Sequence, residues 1–151
     1  MFGKRKARAA ARDTVVEARQ KGARMKEIIK KLQIKDGQIG KIINLPNNLR
    51  KNFDDWPKEL LSNKKTSLDF VIIFVKNVKE IERYAGQSIE LIRTDGLLWF
   101  AYPKKTSEIQ TDISRDNGWE LLSTLEYRPV RLISLDKNWS VLRFREKSLV
   151  R

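Results

Sequence analysis

Polar residues nearly vanish from two stretches of the chain. Leu68 to Val75 (LDFVIIFV) and Leu97 to Tyr102 (LLWFAY) are each about one strand long. A strand apolar on both faces is covered on both faces, which describes the centre of a parallel sheet with helices on either side. Between the two runs, Val78, Ile81, Tyr84, Ala85, Ile89 and Ile92 recur at spacings of three and four. The segment from Asn77, a good N-cap, to about Ile92 therefore reads as an amphipathic helix. Strand, helix and strand then form a βαβ unit with parallel strands, because such a crossover needs a dozen or more residues. Asp95-Gly96 marks the turn before the second strand, and Pro103 ends that strand for want of an N–H.

The same reasoning extends in both directions. Ile28, Ile29 and Leu32 give one apolar face to a helix from Met25 to Leu32, which Asp36-Gly37 stops. Ile39 to Leu45 (IGKIINL) is a first strand, Pro46-Asn47-Asn48 a loop, and Asn48 a cap for a short helix from Leu49 towards Asp55. Residues 58–67 are ambiguous between edge strand and helical turn. A further helix starting near Asp112 or Asp116 carries Trp119, Leu121, Leu122 and Leu125. Val130 to Leu135 and Ser140 to Phe144 are two strands joined through Asp136-Lys137-Asn138-Trp139, and Arg143 and Arg145 alternating with Leu142 and Phe144 leave one face wet. The fold class is α/β: a mostly parallel sheet flanked by helices, ending in an antiparallel hairpin.

Composition narrows the chemistry. The 151 residues suit one domain with a real core, and they include neither cysteine nor histidine. Disulfides, thiolate nucleophiles, zinc sites of the usual kind and histidine bases are thereby excluded. Any catalysis falls to carboxylates, lysines, tyrosines or groups of the substrate; no catalytic set, metal site or cofactor is assigned. A cysteine-free chain suits a reducing cytoplasm, the expected location. No apolar run approaches the roughly 18 residues of a membrane span.

The net charge of +13 favours polyanionic partners and is unevenly spread. Residues 1–24 hold Lys4, Arg5, Lys6, Arg8, Arg12, Arg19, Lys21 and Arg24 against Asp13 and Glu17, with little apolar besides Val15 and Val16. They read as a basic, helix-competent N-terminal extension, and residues 25–151 as the compact domain, with Met25 a second candidate start.

The order of elements is similar to the back part of the Rossmann-like methyltransferase fold. KDGQIGKIINLPNN, LDFVIIFV and DGLLWFAYPKK stand where its first, fourth and fifth strands stand, and RLISLDKNWSVLRFRE supplies its terminal hairpin. More closely, Met25 to Arg145 resembles a family of small bacterial proteins of unknown function, through LLWFAYPKKTS, DISRDNGW, Arg-Pro-Val-Arg at 128 to 131 and DKNWSVLRFR. That resemblance implies a fold and no activity. Methyltransferases cradle S-adenosylmethionine on a glycine-rich turn after the first strand; here the turn is Asn44-Leu45-Pro46-Asn47-Asn48, and only Glu59 offers itself as the ribose-binding acid. The missing glycines argue against methyltransferase activity.

Open α/β sheets place ligands beyond the carboxyl ends of their strands. Tyr102, Lys104, Lys105, Thr106 and Ser107 fall there, offering cations and hydroxyls to a small anion such as phosphate or carboxylate. Asp112, Arg115 and Asp116 follow within one or two turns, where Arg115 can clamp the anion and helix-start N–H groups favour negative charge; the plainer reading is a helix cap and an Asp112–Arg115 ion pair. Trp139 at the hairpin turn is expected over the same crevice or in an interface. A second reading takes nucleic acid as partner, held by Lys4, Arg5, Lys6, Arg8 and Arg12 of the arm and by Arg128, Arg131, Arg143 and Arg145 of the hairpin. A third makes the chain an oligomeric or partner-binding protein through a sheet edge.

Overall fold

A computed structural model of the chain describes residues 23–150. The arm residues Lys4, Arg5, Lys6, Arg8 and Arg12 lie outside the described residues. Five strands form one mixed sheet: β1 (Gly40–Ile43), β2 (Leu68–Phe74), β3 (Ile92–Pro103), β4 (Tyr127–Ser134) and β5 (Trp139–Glu146), in the spatial order β1-β2-β3-β5-β4. β1, β2 and β3 are adjacent and parallel as expected, and β5 runs antiparallel to both β3 and β4. The helices are α1 (residues 23–31), α2 (Val78–Leu91) and the short α3 (Glu120–Thr124).

The uninterrupted apolar runs supply two cores at once, because successive strand residues point to opposite faces. Leu68, Val71 and Ile73 of β2 join Leu98, Phe100 and Tyr102 of β3 under α2 and α3. Phe70, Ile72 and Phe74 join Leu97, Trp99 and Ala101 under α1 and the 3-10 turns that follow β1. We call these the α2 face and the α1 face. Trp99 is fully buried and donates its Nε1–H to the Leu32 carbonyl at 3.1 Å, tying the end of α1 to the sheet. Asp69, the one charged residue of β2, accepts from the Ile39 amide (2.9 Å) and Arg93 Nε (2.9 Å), so it links both neighbouring segments.

Three expectations are corrected. Asp95-Gly96 does not precede β3; it lies inside it, where Leu68 pairs with Ile92 but Phe70 already pairs with Leu97, and the extra residues bulge out with Asp95 at a φ of 56°. Asn48 caps no helix, for Pro46 opens a 3-10 turn, Asn47–Leu49, and a second covers Lys51–Phe53. No helix starts at Asp112 or Asp116 either, since α3 begins only at Glu120 and residues 104–118 form an ordered loop. Short bonds hold that loop, among them Ile113 N–H to Thr111 Oγ1 and Trp119 Nε1–H to the Ser114 carbonyl, and Gly118 takes a φ of 102° before the helix. Residues 58–67 contain a 3-10 turn, Lys58–Leu60, and one parallel bridge from Leu61 to Gly40.

Candidate functional site

Pro103 closes β3, and the chain leaves it tied to the hairpin. The Lys104 amide donates to the Asn138 carbonyl at 2.8 Å, and Lys104 Nζ donates to Ser134 Oγ at 2.6 Å. The loop then returns over the strand end and brings Arg115 and Asp116 back to it. The result is a cavity of about 240 Å³ lined by Tyr102, Lys104, Lys105, Ser114, Arg115, Asp116 and Ser140. Three cations face one carboxylate there, so the local charge is positive. Burial pushes the Tyr102 phenol above its ordinary value, while its hydrogen bond with Ser140 and the nearby Arg115 pull the other way and Asp116 adds to the rise. Tyr102 is therefore a neutral hydroxyl able to donate.

Five of the nine residues expected at this site do converge: Tyr102, Lys104, Lys105, Arg115 and Asp116. The others are placed differently. Thr106 is exposed outside the cavity lining. Ser107 folds back, donating both its amide (3.0 Å) and its Oγ–H (2.7 Å) to the Lys104 carbonyl. Asp112 makes no ion pair with Arg115; its Oδ1 accepts from the Val78 amide and so caps α2. Trp139 is 1% exposed on the α1 face, in T-shaped contact with Phe74, while Tyr102 belongs to the α2 face. The hairpin loop is too short to hold it out, because Asp136 Oδ1 accepts from both Asn138 N (2.7 Å) and Trp139 N (2.8 Å) and β5 starts at once. Ser114 and Ser140 are additions that the sequence did not suggest; Ser140 enters because it pairs with Tyr102 in the β3–β5 register.

A broader, open depression of about 810 Å³ adjoins the loop, lined by Asn77, Lys105, residues 109–114 and Asn117. The start of α2 beside it is already occupied by the chain's own oxygens, with Asp112 on the Val78 amide and Asn77 Oδ1 on the Glu80 amide. The helix start expected to hold the anion near Asp112 to Asp116 is not there, because α3 begins only at Glu120.

The turn after β1 is where the resemblance would put S-adenosylmethionine. There Asn44, at a φ of 58°, sends its Nδ2 to the Phe74 carbonyl (2.8 Å) and Glu80 Oε2 (2.7 Å). Its side chain thus spans the gap between the two strand ends that a glycine-rich turn would leave clear. Glu59 is no ribose acid: the parallel bridge joins Leu61 to the first residue of β1, so Glu59 lies towards the opposite end of the sheet. The residues present do not fit that cofactor.

The hairpin arginines form a second constellation. Arg128, Arg131, Arg143 and Arg145 share the α1 face, and Arg145 binds Asp95 through two bonds of 2.6 and 3.0 Å. Among the described residues no group of three acidic side chains could hold a metal, and no helix is long and apolar enough to cross a membrane.

The sheet order, the α2 crossover and the terminal hairpin define a Rossmann-like α/β fold of mixed sheet type. No protein-family model matches the chain, and no curated protein matches it. Solved structures similar to it are methyltransferase-like in fold. The Methanococcus jannaschii fibrillarin pre-rRNA processing protein matches with 12% identity and a TM-score of 0.48, over 73% of this chain and 56% of its own. A ribosomal protein methylase from Lactobacillus delbrueckii subsp. bulgaricus matches with 8% identity and a TM-score of 0.49, over 85% of this chain and 79% of its own. Haemonchus contortus phosphoethanolamine N-methyltransferase 2 matches with 12% identity and a TM-score of 0.46, over 87% of this chain and 39% of its own. Likeness of this order carries no activity with it.

Proposed function

We propose that the chain binds a small anionic molecule, a phosphate or short carboxylate, in the cavity at the carboxyl end of β3. The supporting observation is that Tyr102, Lys104, Lys105, Arg115 and Ser140, drawn from a strand end, a returning loop and a neighbouring strand, line one cavity. Its volume of about 240 Å³ is below the range of about 300 Å³ and upward typical of drug-sized ligands, so the ligand is small. The Ser134 bond holds Lys104 as a fixed point charge, Arg115 offers a planar fork, and Tyr102 supplies a neutral donor. The charge balance favours the anion over a neutral analogue.

Isothermal titration with inorganic phosphate and with oxalate tests this. The wild type is expected to bind at least one of them. Replacing Lys104 and Lys105 by glutamine should weaken that binding by about tenfold or more, since each lost charge-assisted hydrogen bond is worth about 1.5 kcal/mol or more, while stability stays within about 0.5 kcal/mol. Equal affinity in the double variant would remove the site. A separate reading, contact with a polyanion, is favoured by the four hairpin arginines on one sheet face and uses none of these residues.

A further inference from the structure

We infer that the α1 face of the terminal hairpin is a docking surface for the sugar-phosphate backbone of duplex nucleic acid, read without regard to sequence. Register places Arg131 opposite Arg143 and Arg128 opposite Arg145. Alternation along β5 turns all four away from Leu142 and Phe144, to the side of Trp139 and Val141. Like charges directly opposite one another destabilise a sheet, yet two such pairs stand side by side. Their counter-charges lie on the β5 side: Asp95 takes both bonds from Arg145 and has Arg143 at 4.0 Å, and the Glu146 charge acts on the same two arginines. Arg143 is also held by Gln33 Oε1 at 3.3 Å. Among the described residues Arg128 and Arg131 are exposed and have no ion pair. A counter-charge from outside the chain accounts for a pattern that stability alone does not.

The chemistry of the patch selects the partner. A guanidinium fork matches phosphate oxygens, and the forks open to solvent are those of Arg128 and Arg131, since Asp95 already takes the Nε and Nη2 of Arg145 and Arg143 is mostly buried. Cross-strand partners lie about 5 Å apart, so exposed Arg128 and Arg131 stand beside partly exposed Arg145, with the mostly buried Arg143 behind them. The side chains that would stack on unpaired bases are missing from this face: Trp99 and Trp139 are buried, and the exposed large apolar residues of the hairpin, Val130 and Leu132, are aliphatic. Phosphates of a duplex are therefore the target, and a protein with net charge +13 is drawn to such a dense line of negative charge.

Fluorescence anisotropy of the full chain tests this, with a labelled short duplex of arbitrary sequence, its single strand and poly-glutamate as probes across a salt series. The variant is Arg128→Gln with Arg131→Gln, which leaves the Asp95–Arg145 bond in place. Both proteins keep residues 1–24, so the difference between them isolates the hairpin. The wild type is expected to bind duplexes of different sequence alike and more tightly than single strand or poly-glutamate. In the variant the slope of log affinity against log salt should shrink by about 1.8, because two phosphates are no longer neutralised. Its melting temperature should be unchanged or higher, because two like-charge pairs are relieved. Arg128→Lys with Arg131→Lys, which keeps the charge, should restore most of the slope even if the glutamine variant folds poorly. No duplex binding by the wild type, equal slopes in all three proteins, or preference for single strand or poly-glutamate would overturn the assignment.

Discussion

Asp112 Oδ1 accepts the backbone N–H of Val78 at 2.8 Å, so a residue 34 positions away completes the first turn of α2. Asn77 Oδ1 takes the Glu80 amide at 2.9 Å, and together they satisfy two of the four amides that a helix start leaves without partners. Asp112→Ala should cost about 1 kcal/mol, as losing a cap commonly does, and Asp112→Asn should recover most of it. Urea denaturation reads both. An alanine variant with the wild-type midpoint would show that the loop does not hold the helix.

Gly40 is a test of how tightly β1 lies on β2. A Cβ built there would overlap the Phe70 carbonyl oxygen and press on the Phe70 ring, whose place in the α1-face core is fixed by Trp56 at 6.0 Å. Gly40→Ala should destabilise by about 2 kcal/mol or more, the usual scale of overpacking, with no change in conformational strain of the backbone to explain it. Thermal melting of the variant checks it.

Tyr127 makes stability fall in alkali. Burial, the Glu146 charge and the hydrogen bond to Glu146 together push its phenol up from 10.0 to about 12. The folded state holds this proton more tightly than the unfolded one, so the contribution is complete below about pH 10 and is lost as pH rises through about 12. Tyr127→Phe should remove that part of the decline, seen as a flatter stability curve between those values.

Asp95 works in the opposite direction. The Arg145 hydrogen bond, outweighing the cost of burial and helped by the charges of Arg145, Arg143 and Arg93, holds its carboxyl below 3.8. Its contribution is present above that ordinary value and disappears as pH falls through the lowered one. Asp95→Asn should therefore be less stable than wild type at neutral pH, modestly because the pair is partly exposed, and the gap should close in acid. A gap that persists at low pH would mean that the loss does not come from the charge, nor from the φ of 56°, which asparagine adopts as readily as aspartate.

The sheet is legible in the sequence because two-sided burial leaves short apolar runs rich in β-branched and aromatic residues, as in Leu68–Phe74, and α2 is legible from its period and from Asn77. The stretch before α3 misleads because Trp119, Leu121, Leu122 and Leu125 have helical spacing, whereas ahead of them Thr111 Oγ1 accepts the Ile113 amide and the Ser114 carbonyl accepts the Trp119 indole N–H, and these bonds hold a loop. Trp139 misleads for a different reason: turn position predicts exposure, but Asp136 shortens the turn and delivers the indole to the core. At the site, Tyr102, Lys104 and Lys105 are readable from a single strand end. Ser140 is not, since its place beside Tyr102 depends on β5, and not β4, pairing with β3.

Among the described residues β4 has a strand neighbour on one side only. Its far rim would ordinarily invite another molecule to continue the sheet. Pro129 contributes no amide to such a union, and the irregularity between Pro129 and Arg131 interrupts the ladder spacing that a newcomer would have to match. A second copy of the same strand would also bring its own Arg128 and Arg131 against these two. Val130 and Leu132, each 39% exposed, are thus kept from seeding fibrils by the residues between and beside them, and a concentrated solution of the chain should resist growth by strand addition.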